Sequence, residues 1–182
     1  MLRLILDGPS EPAWNMAVDE ALLRHCTSPV LRIYGWTLPA VSIGYFQPTS
    51  VVPKGRPFVR RLTGGGLVDH AADVTYTVAL PTDHPLAVAG TAASYRLLHE
   101  AVARALNACG VPCALASTCT GGDSPACFQK PVRFDVLAPD GRKLAGAAQR
   151  RSRDGVLHQG SVLAPHLPPR FPEDLSREMA GV

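Results

Sequence analysis

The sequence predicts an α+β domain in which helices pack on a mixed, largely antiparallel β-sheet. Two stretches, residues 10–25 and 91–106, place apolar side chains at the three- and four-residue spacing of amphipathic helices. Residues 73–80 alternate apolar with small polar side chains, which is the pattern of a half-buried strand. Residues 134–144 predict a hairpin whose turn lies at residues 139–141. Helices that pack on such strands give this fold class.

The length of the chain fits one domain. Its 182 residues are enough for a single globular unit with its own core. Hydrophobic residues make up 46% and charged residues 18%, within the range of globular proteins. We expect the domain to occupy residues 1–164. Residues 165–182 begin proline-rich, and we expect a C-terminal extension with at most a short helix near residues 173–179.

The first third of the chain predicts one helix and three strands. Residues 3–6 predict the first strand, and Ser10 can cap the helix that follows. The apolar side chains of that helix are expected to face the sheet. They are Trp14, Val18, Ala21 and Leu22. Residues 31–34 and 40–43 then predict two strands of one sheet.

Glycine and proline delimit the later elements. Residues 58–61 predict a strand that leads into a run of glycines. The second helix is expected to end at Gly110, which suits a left-handed position. The side chains of that helix that we expect to face inward are Tyr95, Leu98, Val102, Ala105 and Leu106.

The charge pattern argues against several classes of protein. The net charge of +3 is mild, and no basic stripe or recognisable module points to nucleic acid. The basic clusters at residues 60–61 and 150–153 are expected to be solvated faces, or else a docking surface for an acidic partner. No apolar run reaches 18 residues and the N-terminus does not resemble a signal peptide, so we expect no membrane partner and a cytoplasmic location.

The cysteine content fits reduced thiols. The chain has five cysteines, an odd number with uneven spacing, which argues against a disulfide framework and against a zinc site. In the cytoplasm we expect these thiols to stay reduced, most of them as small buried hydrophobes. We expect no bound metal.

The most informative stretch is residues 60–70, which contains three consecutive glycines between Arg61 and His70. Glycines allow positive φ angles and let a ligand approach the main chain closely. Arginine offers donors of fixed geometry to a carboxylate or a phosphate. Taken alone, the glycines also fit a hairpin connection flanked by solvated arginines.

The whole stretch resembles the arginine-arginine-x-x-glycine-glycine-glycine-x-x-x-histidine motif of the lipoate-protein ligase and octanoyltransferase family. That family shares a fold with biotin protein ligase, so the resemblance implies a biotin/lipoate-protein-ligase-like catalytic domain over residues 1–164. In the family, the glycine loop and its arginine line the pocket for the acyl chain and its activating group. Residues 11–20 are similar to the family's first helix, and we interpret the carboxylates there as mainly structural.

Two further motifs of the family lie in the second half of the chain. A lysine-x-x-glycine-x-alanine pattern begins at Lys143, and a histidine-x-glycine strand contains His158. The matches together span about residues 11 to 163. They imply substrate-binding roles for nine residues. These are Arg61, Gly64, Gly65, Gly66, His70, Gly146, Ala148, His158 and Gly160. Asp69 and Gln159 depart from common family choices.

Cys127 separates the two chemistries of the family. A cysteine-phenylalanine pair eight residues before an acidic position resembles the cysteine-dependent octanoyltransferase branch, in which the cysteine carries the acyl group as a thioester. The resemblance therefore implies Cys127 as the nucleophile and Lys143 as its activator, because an ammonium group favours the thiolate. Cys119 is a weaker rival nucleophile, and Cys127 could also be an inert core thiol.

The octanoyltransferase hypothesis needs neither ATP nor a metal and has two protein partners. These are acyl carrier protein and a lipoyl-domain or glycine-cleavage H-type carrier. The alternative is a lipoate-protein ligase that uses ATP and Mg²⁺, because Asp135 stands where ligases carry an aspartate that contacts magnesium and ATP. A third possibility is a relative that binds acyl groups or carriers without catalysis. The chain ends soon after the last motif, which fits a transferase, a ligase with a separate second subunit, or a shortened inactive relative.

Overall fold

A computed structural model describes residues 1–118, 131–164 and 166–182 of the chain. Ten strands and four α-helices lie within these residues. The strands are β1 Arg3–Ser10, β2 Val30–Trp36, β3 Val41–Ile43, β4 Phe58–Arg60, β5 Val68–Asp69, β6 Val74–Leu80, β7 Ala114–Leu115, β8 Val136–Leu137, β9 Lys143–Ser152 and β10 Gly155–Val162. The helices are α1 Pro12–His25, α2 Pro85–Val88, α3 Thr91–Ala108 and α4 Phe171–Ala180. A single 3₁₀ turn, Thr49–Val51, lies between β3 and β4.

The strands form a large sheet and a small one. The large sheet has the order β1-β2-β6-β10-β9-β8-β7, and only its β1–β2 pair is parallel. The small sheet has the order β4-β3-β5, with β4 parallel and β5 antiparallel to β3. The prediction of an α+β fold with a mixed, largely antiparallel sheet is confirmed.

Strand alternation divides the large sheet into two faces. In β10, His158 and Val162 face one side, and Gln159 and Ser161 face the other. Helix α3 covers the first side, which we call the α3 face, and α4 packs against α3. Helix α1 covers the second side, which we call the α1 face, and the glycine-rich connection between β4 and β5 lies against it.

Helix α1 presents a different side to the sheet from the one predicted. Trp14 is 63% exposed, whereas Asn15, Met16 and Asp19 are buried. The physical reason is polar, because Asn15 and Asp19 hydrogen-bond the buried guanidinium of Arg32. Apolar periodicity therefore indicated the wrong side. The buried Asp19 agrees with a structural role for the carboxylates of this helix.

Three other expectations need correction. The strands predicted at residues 31–34 and 40–43 do not share a sheet, because β2 belongs to the large sheet and β3 to the small one. Ser10 belongs to β1 and does not cap α1, which begins at Pro12 with no side-chain cap. Strand β6 is buried along almost its whole length, not half-buried. It lies between β2 and β10, and helices cover both of its faces, so its threonines are buried as well as its apolar side chains.

The hairpin and the end of the second helix agree with the sequence. Strands β8 and β9 pair antiparallel, and Gly141 takes a φ of 83° in the turn between them. Gly110 follows α3 with a φ of 79°. Helix α4 is longer than the predicted short helix, and its Phe171, Leu175 and Met179 join the main core. Among the described residues, no helix is both long and apolar enough to cross a membrane.

Candidate functional site

Arg61 holds the glycine loop in shape. Its Nη2 donates to the carbonyl oxygens of Gly64 and Gly66 at 2.9 and 2.8 Å, and its Nη1 donates to the carbonyl and hydroxyl of Ser42 at 2.8 and 2.7 Å. The side chain is buried, so the expectation of a solvated arginine is wrong here. The neighbouring Arg60 donates through Nη1 to three main-chain carbonyls of residues 44–47. Both guanidinium groups hold the main chain around the glycine loop in its conformation.

Close contacts explain where the loop requires glycine. Gly65 has a φ of 84°, and a Cβ added there would lie 3.5 Å from the methyl group of Ala148 on β9. A Cβ on Gly44 would collide with the carbonyl oxygen of Gly65. The loop therefore packs its backbone directly on β9 and on the end of β3.

His70 lies at the centre of a buried polar array. Its Nε2 is 2.6 Å from the Ser42 hydroxyl, its Nδ1 is 2.9 Å from a carboxylate oxygen of Asp73, and its ring stacks on Trp36 at 4.0 Å. The same oxygen of Asp73 also accepts from the Ser161 hydroxyl at 2.5 Å. The array connects the small sheet with β10.

Gln159 connects the glycine loop to α1. Its Oε1 accepts from the Thr63 hydroxyl at 2.8 Å, and its Nε2 donates to Asp19 at 2.7 Å. Burial raises the pKa of Asp19, although bonds from Gln159, Thr77 and Arg32 oppose that effect. Gln159, which departs from the common family choice, therefore bridges the glycine loop and α1. Asp69, the other departure, pairs with Arg56 on the surface.

An apolar pocket, which we call the cavity, lies between the glycine loop and the α1 face of the sheet, and its empty space of about 410 Å³ includes open solvent. The cavity is lined by Met16, Tyr34, Trp36, Ser42, Arg61, Val68, His70, Thr75, Gly146, Ala147, Ala148, Gln159, Gly160 and Ser161. Six of the nine residues implied as substrate-binding line it or, in the case of Gly65, contact its wall. They are Arg61, Gly65, His70, Gly146, Ala148 and Gly160.

Lys143 lies at the edge of this cavity. Its Nζ is 2.8 Å from Asp135, and both side chains are almost fully buried. A Cβ on Gly146 would collide with Cε and Nζ of Lys143, so the lysine folds back over its own strand at a residue that lines the cavity. This contact gives the lysine-x-x-glycine pattern a physical reason.

His158 is on the α3 face and does not line the cavity. Its ring nitrogens are 3.2 Å from the Tyr76 hydroxyl and 3.0 Å from the Gln149 amide. Burial lowers the pKa of His158 well below its usual value, so the ring is neutral at pH 7. Gly160 leaves room for the Tyr76 ring on the same face. Gly64 and Gly66 act through their carbonyls on Arg61.

The remaining predicted residues have different outcomes. Cys127 and Cys119 lie outside the described residues. Asp135 is fully buried, and each of its carboxylate oxygens already accepts a hydrogen bond or ion pair from the protein. That arrangement does not fit a magnesium ligand. The basic stretch 150–153 divides: Arg151 bonds main-chain carbonyls near α2, whereas Arg153 is solvated.

Sequence reasoning missed four polar or aromatic residues of the site. Ser42, Asp73 and Trp36 hold His70, and Tyr95 holds Asp135. The only local signal was Asp73, three residues after the motif histidine. The others come from separate elements, and only the tertiary fold brings them together.

The fold and the cavity define a biotin/lipoate-ligase-type catalytic domain. The model of the lipoyl protein ligase A/B catalytic domain family matches residues 11–165. The chain belongs to that family, as the sequence motifs predicted.

Curated relatives and a solved structure agree with this assignment. The chain is similar to Octanoyltransferase LipM of Moorella thermoacetica, 42% identical over 176 residues that cover 88% of this chain and 64% of the relative. LipM of Kyrpidia tusciae is 36% identical, with 97% and 73% covered. This chain thus spans less than two thirds of the Moorella protein. A candidate lipoate protein ligase from T. acidophilum with bound lipoic acid aligns with a TM-score of 0.78 and 22% identity, covering 98% of this chain and 84% of that one.

Proposed function

We propose that this chain transfers an octanoyl group from acyl carrier protein to a lysine of a lipoyl-domain or glycine-cleavage H-type carrier, through a thioester on Cys127. The observation that carries the proposal is the buried Lys143 ammonium beside Gly146, at the edge of an apolar cavity. Relatives named as octanoyltransferases, at 36% and 42% identity, support the same chemistry.

The first half-reaction is a thioester exchange. The Cys127 thiolate attacks the octanoyl carbonyl, a carbon–sulfur bond to Cys127 forms, and the bond to the donor's sulfur breaks. The leaving thiolate takes up a proton in solution. A cation near the sulfur favours the ionised nucleophile, which is the role that we assign to Lys143.

The second half-reaction forms the amide. The amine of the carrier lysine attacks the acyl carbon, a carbon–nitrogen bond forms, and the bond to Cys127 breaks. One proton leaves the amine as the cysteine thiolate is released. Main-chain N–H groups of the glycine loop, or near Gly146, are our candidates for holding the negative oxygen of each intermediate.

The cavity suits an alkyl chain. Met16, Trp36, Val68, Ala147 and Ala148 give it apolar walls. Burial of the octanoyl chain there contributes about 0.8 kcal/mol per CH₂ group, so chain burial dominates binding. His70, Ser42 and Arg61 supply hydrogen-bonding groups at the small-sheet side of the cavity.

We propose that the reaction requires neither ATP nor magnesium. The Asp135 carboxylate accepts from Lys143, Val132 and Tyr95 within a buried site, so we derive no step from a metal ion held there. An energy source is not needed, because the donor thioester is already activated.

Two parallel reactions test the proposal. The protein is mixed with an apo lipoyl domain and with either octanoyl-acyl carrier protein or free lipoate, ATP and Mg²⁺. We expect acylated domain in the first reaction, and an octanoyl adduct on the protein that Cys127→Ala abolishes and Cys119→Ala retains. Product only in the second reaction would establish the ligase instead. Product in neither, with the acyl group still bound, would indicate a non-catalytic binding protein.

A further inference from the structure

The Asp135 carboxylate joins three parts of the chain. Its Oδ2 accepts from Lys143 Nζ at 2.8 Å and from the Val132 N–H at 2.7 Å, and its Oδ1 accepts from the Tyr95 hydroxyl at 2.8 Å. The side chain has no exposed surface. A buried carboxylate is stable only when its oxygens are bonded in this way. Asp135 therefore has one orientation, which its three donors determine.

The Tyr95 hydroxyl also supports the wall of the cavity. Strand β8 pairs with β9 only as far as Ala145. Two residues further along β9, the N–H of Ala147 donates to the Tyr95 hydroxyl at 3.1 Å. The hydroxyl thus bonds the main chain at the point where the partner strand has ended. Burial, together with the negative charge of Asp135, raises the pKa of Tyr95, so the hydroxyl remains a neutral donor.

Lys143 and the cavity wall are therefore linked through two side chains. Gly146 and Ala147 both line the cavity. The Lys143 ammonium lies against Gly146, and Tyr95 bonds Ala147 and Asp135 together. A shift of Tyr95 or Asp135 would move the ammonium relative to any acyl group in the cavity.

We propose that Tyr95 and Asp135 are positioning residues for the acyl transfer: Asp135 fixes the Lys143 ammonium, and Tyr95 fixes Asp135 to the cavity wall at Ala147. Neither side chain lines the cavity, so both act through Lys143. The inference rests on the proposed function of Lys143 as activator of Cys127. It assigns Asp135 an electrostatic and structural role in place of metal binding.

The test compares Tyr95→Phe with Ser94→Ala. Phenylalanine keeps the ring and removes only the hydroxyl. Ser94 is the adjacent residue of α3, and its buried hydroxyl bonds Gly90 and Arg151, away from Asp135. Four quantities are measured for each variant: kcat and KM for octanoyl transfer, the rate of Cys127 alkylation by iodoacetamide, and the Tm.

We expect Tyr95→Phe to lower kcat on the order of 10- to 100-fold, because a displacement of about 1 Å in a reacting group has that effect. The alkylation rate should fall with kcat, and KM should stay unchanged because no side chain that lines the cavity is changed. Ser94→Ala should lose a similar amount of Tm but keep kcat. Equal kcat values for the two variants, or an effect of Tyr95→Phe on KM alone, would overturn the proposal.

A second variant covers the case in which Tyr95→Phe does not fold. Gly146→Ala places a methyl group where Lys143 Nζ lies, and the end of a flexible side chain can move aside. We expect this variant to fold and to lose kcat in the same range, whereas unchanged kcat would overturn the proposal. Failure of the proposed function is distinguishable, because the wild-type protein would then form no octanoyl adduct on Cys127.

Discussion

The two faces of the large sheet differ in what they bury. The α3 face carries the main core, in which α3 and α4 contribute apolar side chains such as Leu98, Leu106 and Phe171. Among the residues that the structure describes, the α1 face has only a small apolar cluster, Leu23, Val30, Ala79 and Leu157. Most of its remaining interior is a hydrogen-bonded network or open cavity. One face stabilises the fold, and the other holds a binding site in shape.

The energetics of burial explain why the two faces of the sheet differ in composition. Apolar burial contributes roughly 25 cal/mol per Å² removed from water, whereas a buried ion pair contributes little net stability. The Arg32–Asp19 pair on the α1 face is fully buried, and its bonds extend to Asn15, Tyr34 and Gln159. Such a network fixes the orientations of its side chains more than it adds to the free energy of unfolding. A cavity of constant shape needs that kind of support.

The sharpest test of this contrast compares Leu98→Ala with Met16→Ala. Leu98 packs in the closed core of the α3 face, so we expect its loss to cost about 2 to 5 kcal/mol of unfolding free energy. Met16 already borders a cavity, so its loss creates less new empty space and should cost about 1 kcal/mol. Urea unfolding measures both values.

Substrate kinetics complete that comparison. Met16→Ala should raise the KM for the octanoyl donor, because the acyl chain loses an apolar contact. Leu98→Ala should leave KM unchanged at a temperature where it is folded. If Met16→Ala destabilised the protein as much as Leu98→Ala, the assignment of stability to the α3 face would be wrong.

The sequence was sufficient to locate β6 but not to orient the first helix. Alternation in β6 depends on a period of two, which survives any tertiary arrangement. Helix α1 was misassigned at Trp14 because its inner side meets the charged group of Arg32, a partner that only the folded sheet supplies. Apolar periodicity cannot indicate which side of a helix faces inward when that side covers a polar network.

The motifs of the site were recognisable, whereas their supports were not. Lys143 and Gly146 stand three residues apart, and their contact is local to one strand. Asp135 precedes β8 and Tyr95 lies on α3, and only packing brings Tyr95 to the edge of β9. Single residues that support a motif from another element give no pattern in the sequence.

Acid should destabilise the α3 face in particular. Burial lowers the pKa of His99 to about 4, and the pKa of His158 also lies well below its usual value. The folded state therefore binds fewer protons than the unfolded state, and stability is lost as pH falls below about 6.5. For His99 the loss between pH 7 and pH 5 is about 2 kcal/mol. Asp19 on the α1 face has the opposite effect on the pH dependence of stability, because its raised pKa favours the folded state in acid.

His99→Asn isolates this effect. Asparagine can still donate to the Phe134 carbonyl, which His99 Nδ1 contacts at 2.7 Å, but it does not titrate. We expect a smaller loss of stability between pH 7 and pH 5 in this variant than in the wild type, measured by urea unfolding at each pH. His25→Asn, at an exposed position of α1, is the control and should keep the wild-type slope. An unchanged slope in His99→Asn would assign the acid sensitivity to other groups.

The smallest of these effects separates the two adjacent arginines of the glycine motif. Arg61 uses Nη1 and Nη2 in two directions, so lysine cannot replace it. Arg60 makes its three bonds through Nη1 alone, and a single ammonium can take that place. We expect Arg61→Lys to lower octanoyl transfer about tenfold, equivalent to about 1.4 kcal/mol, and Arg60→Lys to retain wild-type activity. Transfer rates at saturating donor check both. Equal losses would mean that the loop depends on positive charge and not on the fork geometry of Arg61.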